Sequence, residues 1–350
     1  MYKIKVYPED FVVDEILASG EGASVAKGDP AAGGAFLWIA IKKVNWNTID
    51  LAKEIAKRVR VNEKRVNYAG IKDRNAVAYQ VFSVCIKGND EEIVERIRRI
   101  KDVEVLSFWR ANRWIKSEDM VGNMFDITLR ECGFSASDIM KNAPDRFPNY
   151  FGEQRFGSLR KNTAMVGLKL LKGDYEGAVA EYFPEEVGLE KWEERMLQQS
   201  RKMGAERFIR SNMRLFKLCT HAFQSLLFNR ELEMRIRDGE TGVLEGEYAC
   251  GRNRYGFADV NVEGNEFTVG LLVGYECRAI NRYKRALLDE YGISCQEFKA
   301  FDVKGGYRPL YAPIINFDAT DLGEGIVRLR FALQKGSYAT VLIDELARGR

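Results

Sequence analysis

The sequence predicts an α/β (α+β) protein, a mixed sheet with helices that is built from both ends of the chain and interrupted by a helical middle. Three observations predict it. Strand-like and helix-like patterns alternate from Phe36 to Arg130, successive helical patterns run from Asn162 to Arg237, and strand character returns at Ile326 to Leu333. Alternation of the two periods marks a layered α/β arrangement. At 350 residues the chain is long for one small core, so two domains, or one domain with an insertion, are expected.

Each element has its own signal. Met1 to Lys5 alternates like a strand, and the glycines between Gly20 and Gly34 read as a mobile loop. Phe36 to Val44 reads as a strand. Asn47 or Thr48 can then cap a helix in which Ala52, Ile55, Ala56 and Val59 form one apolar stripe. Tyr79 to Ile86 places Phe82, Val84 and Ile86 on one strand face. Asp90 to Lys101 is a second helix, acidic where it opens and basic where it closes, which complements the helix dipole. Val103 to Trp109 and Asn123 to Arg130 are strands. The middle holds helices at Asn162 to Leu171, Tyr175 to Phe183, Leu189 to Met203 and Thr220 to Arg237. Short glycine-punctuated strands follow Gly239, then a charged helix around Ile280 to Tyr291. The run Gly336 to Thr340 opens a final helix.

Composition narrows the chemistry. With 46% hydrophobic and 30% charged residues, the chain is globular, and no apolar run is long enough to cross a bilayer. Six scattered cysteines without metal-ligand spacing, and no signal-peptide core, point to free thiols in a reducing compartment, the cytoplasm. The single histidine, His221, falls in a helix beside Ala222 and Phe223, so neither a histidine-rich zinc site nor a second histidine base is available. Net charge is only +3, yet lysines and arginines cluster at 53 to 65, 96 to 101, 110 to 116 and 155 to 172. Such stripes suit phosphates or serve as solvated helix faces. Neither dinucleotide nor P-loop glycine signatures occur, so no nucleotide cofactor is expected.

Three runs stand apart. In Gly70 to Gln80, Asp73 sits between Lys72 and Arg74 just ahead of a strand. Neighbouring positive charge favours the ionised form of a carboxylate, which suits a nucleophile. In Pro148 to Gly157, three aromatic rings, two amides and Arg155 make a loop that can hold a planar base or plug a core. Gly336 to Thr340 can meet a phosphate at a helix mouth or form an ordinary cap by Ser337.

Together these runs resemble the signature blocks of the TruD family of RNA pseudouridine synthases: Gly70-x-Lys72-Asp73-Arg74-x-Ala76 with Gln80, Asn149 to Gly157, and Gly336 to Thr340. The opening segment Pro8 to Glu15 and the stretch Phe223 to Asn229 match as well, in family order along the whole chain. The resemblance implies a catalytic pseudouridine-synthase domain of residues 1–157 and 312–350 on a mixed sheet. A family-specific insertion domain of residues 158–311 would interrupt it, with RNA in the cleft between them. It implies a cofactor-free, metal-free isomerisation of uridine in tRNA, by default uridine 13 of the D-arm, by a monomer acting on a flipped-out base.

By motif position Asp73 is the catalytic aspartate and Lys5 the active-site lysine, with Asn149 and Phe151 contacting the base. Phe11, Lys72, Arg74, Gln80, Arg155 and Tyr338 complete the expected substrate contacts. Phe151 and Tyr338 can replace lost stacking. Lys5 or Arg74 can face the Asp73 anion, which can attack the ribose C1′ or the uracil C6. The C5 proton can leave to Asp73, to water or to the Tyr338 phenol. Two positions depart from the family: Ala78 stands where threonine is frequent, and Gln334 where bacterial members carry proline. The competing readings are an RNA-binding or RNA-folding module on the same scaffold, and an aspartate-based uracil glycosylase.

Overall fold

A computed structural model of the chain describes residues 2–28, 33–157, 160–184 and 188–348. Part of the expected Gly20 to Gly34 loop, residues 29–32, lies outside the described residues, as do Met1 and residues 158–159 at the expected start of the insertion. The chain forms two compact units. Unit one is Met1–Phe147 with Pro313–Ala339 and Ile343–Arg350, and unit two is Pro148–Ala312 with Thr340–Leu342.

The N-terminus departs from expectation. In place of a strand, residues 2–5 make one isolated bridge, Lys3 with Arg130, because Lys5 has φ 59° and breaks an extended run. After a turn at Pro8–Asp10, unit one continues through β1 (Phe11–Leu17), β2 (Phe36–Val44), α1 (Thr48–Val59), β3 (Val66–Tyr68) and β4 (Val77–Cys85). Then come α2 (Asp90–Arg98), β5 (Val103–Ala111), β6 (Met120–Leu129) and α3 (Ala136–Asn142), and β7 (Arg146–Pro148) ends the segment.

Unit two holds α4 (Thr163–Leu171), α5 (Tyr175–Tyr182), α6 (Lys191–Met203), α7 (Ala205–Ser211) and the long α8 (Met213–Arg237). It goes on through β8 (Tyr248–Arg252), β9 (Ala258–Asp259), β10 (Phe267–Leu272), α9 (Arg282–Tyr291) and β11 (Gly306–Pro309). The chain returns through β12 (Tyr311–Pro313) to β13 (Ile315–Gly323), β14 (Ile326–Gln334) and α10 (Ala339–Arg348).

The sheet of unit one is mixed, in the order β13-β14-β6-β1-β4-β2-β5, with β3 beside β4. Strands β1 and β4 run parallel and the other neighbours antiparallel. Strand β14 pairs with β6 from Val327 opposite Leu129 to Gln334 opposite Gly122, so the two ends of the chain share one sheet. Asn47 caps α1, its side chain accepting the Ile49 N–H at 2.8 Å, a contact of about 1 kcal/mol. The apolar stripe Leu51, Ala52, Ile55, Ala56 and Val59 then packs on Leu37, Ile39, Ile41, Phe82 and Val84, with Ile93, Val94 and Ile97 of α2 beside it. Each large side chain so buried stabilises by roughly 2 kcal/mol. Pairing of Ile41 with Gln80 and of Lys43 with Ala78 puts Lys43 and Gln80 on this same face.

In unit two, α4 lies so close to α8 that a Cβ at Gly167 would sit 2.1 Å from the Cys219 carbonyl oxygen. Phe183, Phe208, Phe216 and Phe223 fill the core there. A second sheet runs β11-β10-β8-β9. In the same unit the side chains of Glu231, Arg235, Glu247 and Lys284 are buried together: Arg235 meets Glu247 at 2.7 Å, Lys284 pairs with Glu231, and Asn281 donates to Glu231 at 2.6 Å. Among the described residues, no helix is long and apolar enough to cross a membrane. The stretch Asn149 to Phe156, expected with the first domain, groups with unit two. The Asn149 N–H donates to the Leu310 carbonyl at 2.8 Å, and the Phe151 N–H donates to Asn229 Oδ1, also at 2.8 Å.

Candidate active site

Asp73 lies in the loop that joins β3 to β4, and that loop is braced from the interior. Thr48, the first residue of α1, accepts the Lys72 N–H at 2.9 Å and donates to Gln80 Oε1 at 2.9 Å. Gln80 Nε2 donates in turn to the Gly70 carbonyl at 3.3 Å. Lys43 Nζ donates to the carbonyls of Trp46 at 2.5 Å and of Asp73 at 3.1 Å. Three backbone groups of the loop are thereby fixed, which leaves the Asp73 side chain as the part that can face outward.

Two residues expected among the substrate contacts turn out to hold the loop. Lys72 is buried, its Nζ 2.8 Å from the buried Glu15 and 3.3 Å from Met120 Sδ, so it does not flank the Asp73 carboxylate. Gln80 is fully buried with its amide occupied as described. Glu15 is also fixed from its other side, accepting the Val81 N–H at 3.1 Å. The cost of burying this set is offset by these hydrogen bonds and by the ion pair of Lys72 with Glu15. Arg74 is exposed on the loop.

The cation that meets Asp73 is Lys5, with Nζ 2.5 Å from Oδ2. The side chains are 18% and 26% exposed, so the pair is shielded from bulk water and still reachable. Lys5 Nζ also lies 4.1 Å over the ring of Phe11, which is itself buried and packs edge-on to Phe125 at 6.0 Å. The arm that carries Lys5 is tied down by Asp10. Its carboxylate takes the Arg130 guanidinium at 2.8 Å and the Tyr7 N–H at 2.9 Å. Burial raises the Asp10 carboxyl, but these partners outweigh burial and hold it below its ordinary value. Tyr338, half-buried in unit one, follows Gly336, whose φ of 85° turns the chain between β14 and α10.

Unit two holds the aromatic loop. Asn149 is fully buried, and its carbonyl and Oδ1 accept Arg308 at 2.9 and 2.7 Å. Phe151 exchanges two bonds with Asn229, its N–H donating at 2.8 Å and its carbonyl accepting Nδ2 at 2.9 Å. The guanidinium of Arg308 sits 4.1 Å from the Phe151 ring centroid, and Phe228 packs edge-on at 5.7 Å. Arg155 donates to Ser225 Oγ at 3.0 Å and lies 5.6 Å from the same ring. His221 stands on α8 with Nδ1 3.3 Å from Gln224 Oε1.

Sequence reasoning missed Lys43, Thr48, Glu15 and Arg308. Lys43 closes a strand next to another lysine, and only its lack of any exposure distinguishes the two. Arg308 lies far along the chain from Asn149, and nothing local marks it.

Fold and site define a mixed-sheet α/β protein of enzyme-like character, in which a braced loop presents one carboxylate to one lysine. The chain belongs to the TruD family: the family model for tRNA pseudouridine synthase D (TruD) matches residues 2–208 and 193–346. Similar proteins are each described as "Probable tRNA pseudouridine synthase D". That of Pyrococcus furiosus is 32% identical over 98% of this chain and 95% of its own length. That of Archaeoglobus fulgidus is 31% identical over 98% and 94%. That of Thermoplasma volcanium is 30% identical over 99% and 94%. A crystal structure from Methanosarcina mazei, described as the "Putative tRNA pseudouridine synthase D (TruD)", covers 99% of this chain and 93% of its own, with TM-score 0.65 at 24% identity, a likeness of fold.

Proposed function

We propose that this protein isomerises uridine to pseudouridine in tRNA, at uridine 13 of the D-arm, with Asp73 as the nucleophile. The observation that carries the reading is the Asp73–Lys5 pair, held on a braced loop at 2.5 Å and partly open. In the reaction the bond from uracil N1 to ribose C1′ breaks, C5 bonds to C1′, the C5 proton leaves, and N1 takes a proton. Attack by Asp73 on C1′ or on C6 initiates the same exchange of bonds. Lys5 keeps a cation beside the carboxylate, and Phe11 forms the apolar floor beneath the lysine. Phe151, Arg155, Arg74 and Tyr338 are assigned to the flipped base and its phosphates, because rings replace lost stacking and cations meet the backbone. Lys72, Gln80 and Asn149 are positioning residues in this reading, since protein partners occupy their polar ends.

A pure RNA binder has no use for a braced carboxylate, which repels phosphate. The test is tritium release from tRNA carrying tritium at uracil C5. The intact protein releases it and Asp73→Ala does not. No release by the intact protein, or unchanged release by the variant, overturns the reading.

A further inference from the structure

We propose that unit one carries a second RNA-binding site, a phosphate-binding cavity at the end of the sheet away from Asp73. This rests on the proposed action on RNA and adds a contact to it. The cavity, of about 470 Å³, lies where α1 ends and the β4–α2 loop begins, and Arg60, Arg65, Lys87 and Arg96 line it against the single carboxylate of Glu92. All four cations are exposed, and among the described residues none forms an ion pair. In the neighbouring cavity along α1, by contrast, Lys53 pairs with Asp50 and Lys57 with Glu54.

Helix dipoles explain a cation at the end of α1 or α2. They do not explain why Arg65 and Lys87, which lie outside both helices, converge on the same cavity. The wall that presents Lys87 is also built. Arg110 of β5 donates to the carbonyls of Ile86 at 2.6 Å and Gly88 at 3.4 Å, and its Nε donates to Asp90 at 3.0 Å. A preformed concave surface with four cations and one carboxylate suits phosphodiester groups, and no aromatic side chain lines it to stack on a base.

The fold sets the reach. Strand β4 starts at Val77 beside the Asp73 loop and ends at Cys85 in the cavity wall. At about 3.3 Å per residue that is roughly 25 Å. A-form RNA rises less per pair than the roughly 3.4 Å of B-DNA, so such a distance spans at least about seven base pairs of duplex. A long RNA fills both sites at once, and a short hairpin cannot.

The test compares an in vitro transcribed tRNA with a hairpin of four base pairs cut around its modified uridine. The variant combines R65Q, K87Q and R96Q, all exposed positions away from the Asp73 loop. On tRNA the variant binds about tenfold more weakly, and the slope of log affinity against log salt falls by about two. On the hairpin its affinity stays within about twofold of the unaltered protein, and tritium release at saturating tRNA is unchanged. An unaltered affinity and salt slope on tRNA overturns the proposal, as does an equal loss on both RNAs. If the unaltered protein released no tritium while tRNA binding still depended on these residues, the isomerase reading would fail and the phosphate site would stand.

Discussion

Lys43 carries its ammonium to a place with no solvent exposure, and what it meets there is two backbone carbonyls, of Trp46 and Asp73. Burial pushes its pKa down from 10.5 to about 8, with the Asp73 charge pulling the other way. A base whose pKa is lowered by folding holds its proton less firmly in the native state than in the unfolded chain. Between about pH 8 and 10.5 the unfolded chain therefore binds the extra proton, and this group's contribution to stability rises with pH across that window. Replacing Lys43 by methionine removes that rise, so the melting-temperature difference between the two proteins shifts in favour of the unaltered one from pH 8 to pH 10. It also frees the Asp73 carbonyl, and tritium release falls at least about tenfold, since small misplacements of a reacting group are costly. A variant with unchanged release would show that the loop keeps its shape without this lysine. Lys43 was not legible as a site residue because strand pattern and charge look the same whether a lysine points into a core or out of it.

At the scale of elements, the arm before β1 decides where Lys5 points. It has one isolated bridge to the sheet and depends on Asp10, which joins Arg130 to the Tyr7 N–H. Asp10 titrates below its ordinary value of 3.8, so its contribution is fully present above that value and is lost as pH falls through the lower folded pKa. Asp10→Asn therefore melts at a lower temperature near neutrality and shows a flatter acid limb than the unaltered protein. A parallel pair of acid limbs would remove Asp10 as the anchor. Several elements were legible from local pattern alone: Phe36–Val44 coincides with its expected strand, and α1 starts at Thr48 behind an Asn47 cap. Strand β1 was not, because Asp14 and Glu15 interrupt its apolar run, and the partners that satisfy Glu15, Lys72 and the Val81 N–H, come from far along the chain. Strand β13 escaped for the opposite reason. It is an edge strand, mostly exposed, whose residues lack a buried face to impose alternation. The first turns of α8, before Thr220, were missed because Asn212 makes no side-chain cap and only Phe216 and Cys219 are buried there, too few to show an apolar stripe.

At the scale of the molecule, the sequence of strand-rich ends around a helical middle becomes one sheet interrupted by unit two. The Asp73–Lys5 pair is wholly in unit one, and Phe151 and Arg155 are wholly in unit two. The interruption is also simple to undo. The chain leaves unit one after Phe147 and returns at Pro313, and the Ile314 N–H donates to the Asp145 carbonyl at 2.9 Å, so the two ends of the gap are already adjacent. Replacing residues 148–312 by a short glycine–serine linker closes a small loop in place of a long one, and loop closure changes only slowly with length. The core made by α1, α2, β2 and β4 is drawn entirely from unit one. The shortened protein is therefore expected to melt cooperatively with its sheet intact. It keeps Asp73 beside Lys5 and lacks the Phe151 loop that the proposed function assigns to the base, so tritium release from tRNA is expected to vanish. Loss of the cooperative melt would show that unit one needs the insertion to fold, and retained release would remove Phe151 and Arg155 from the site.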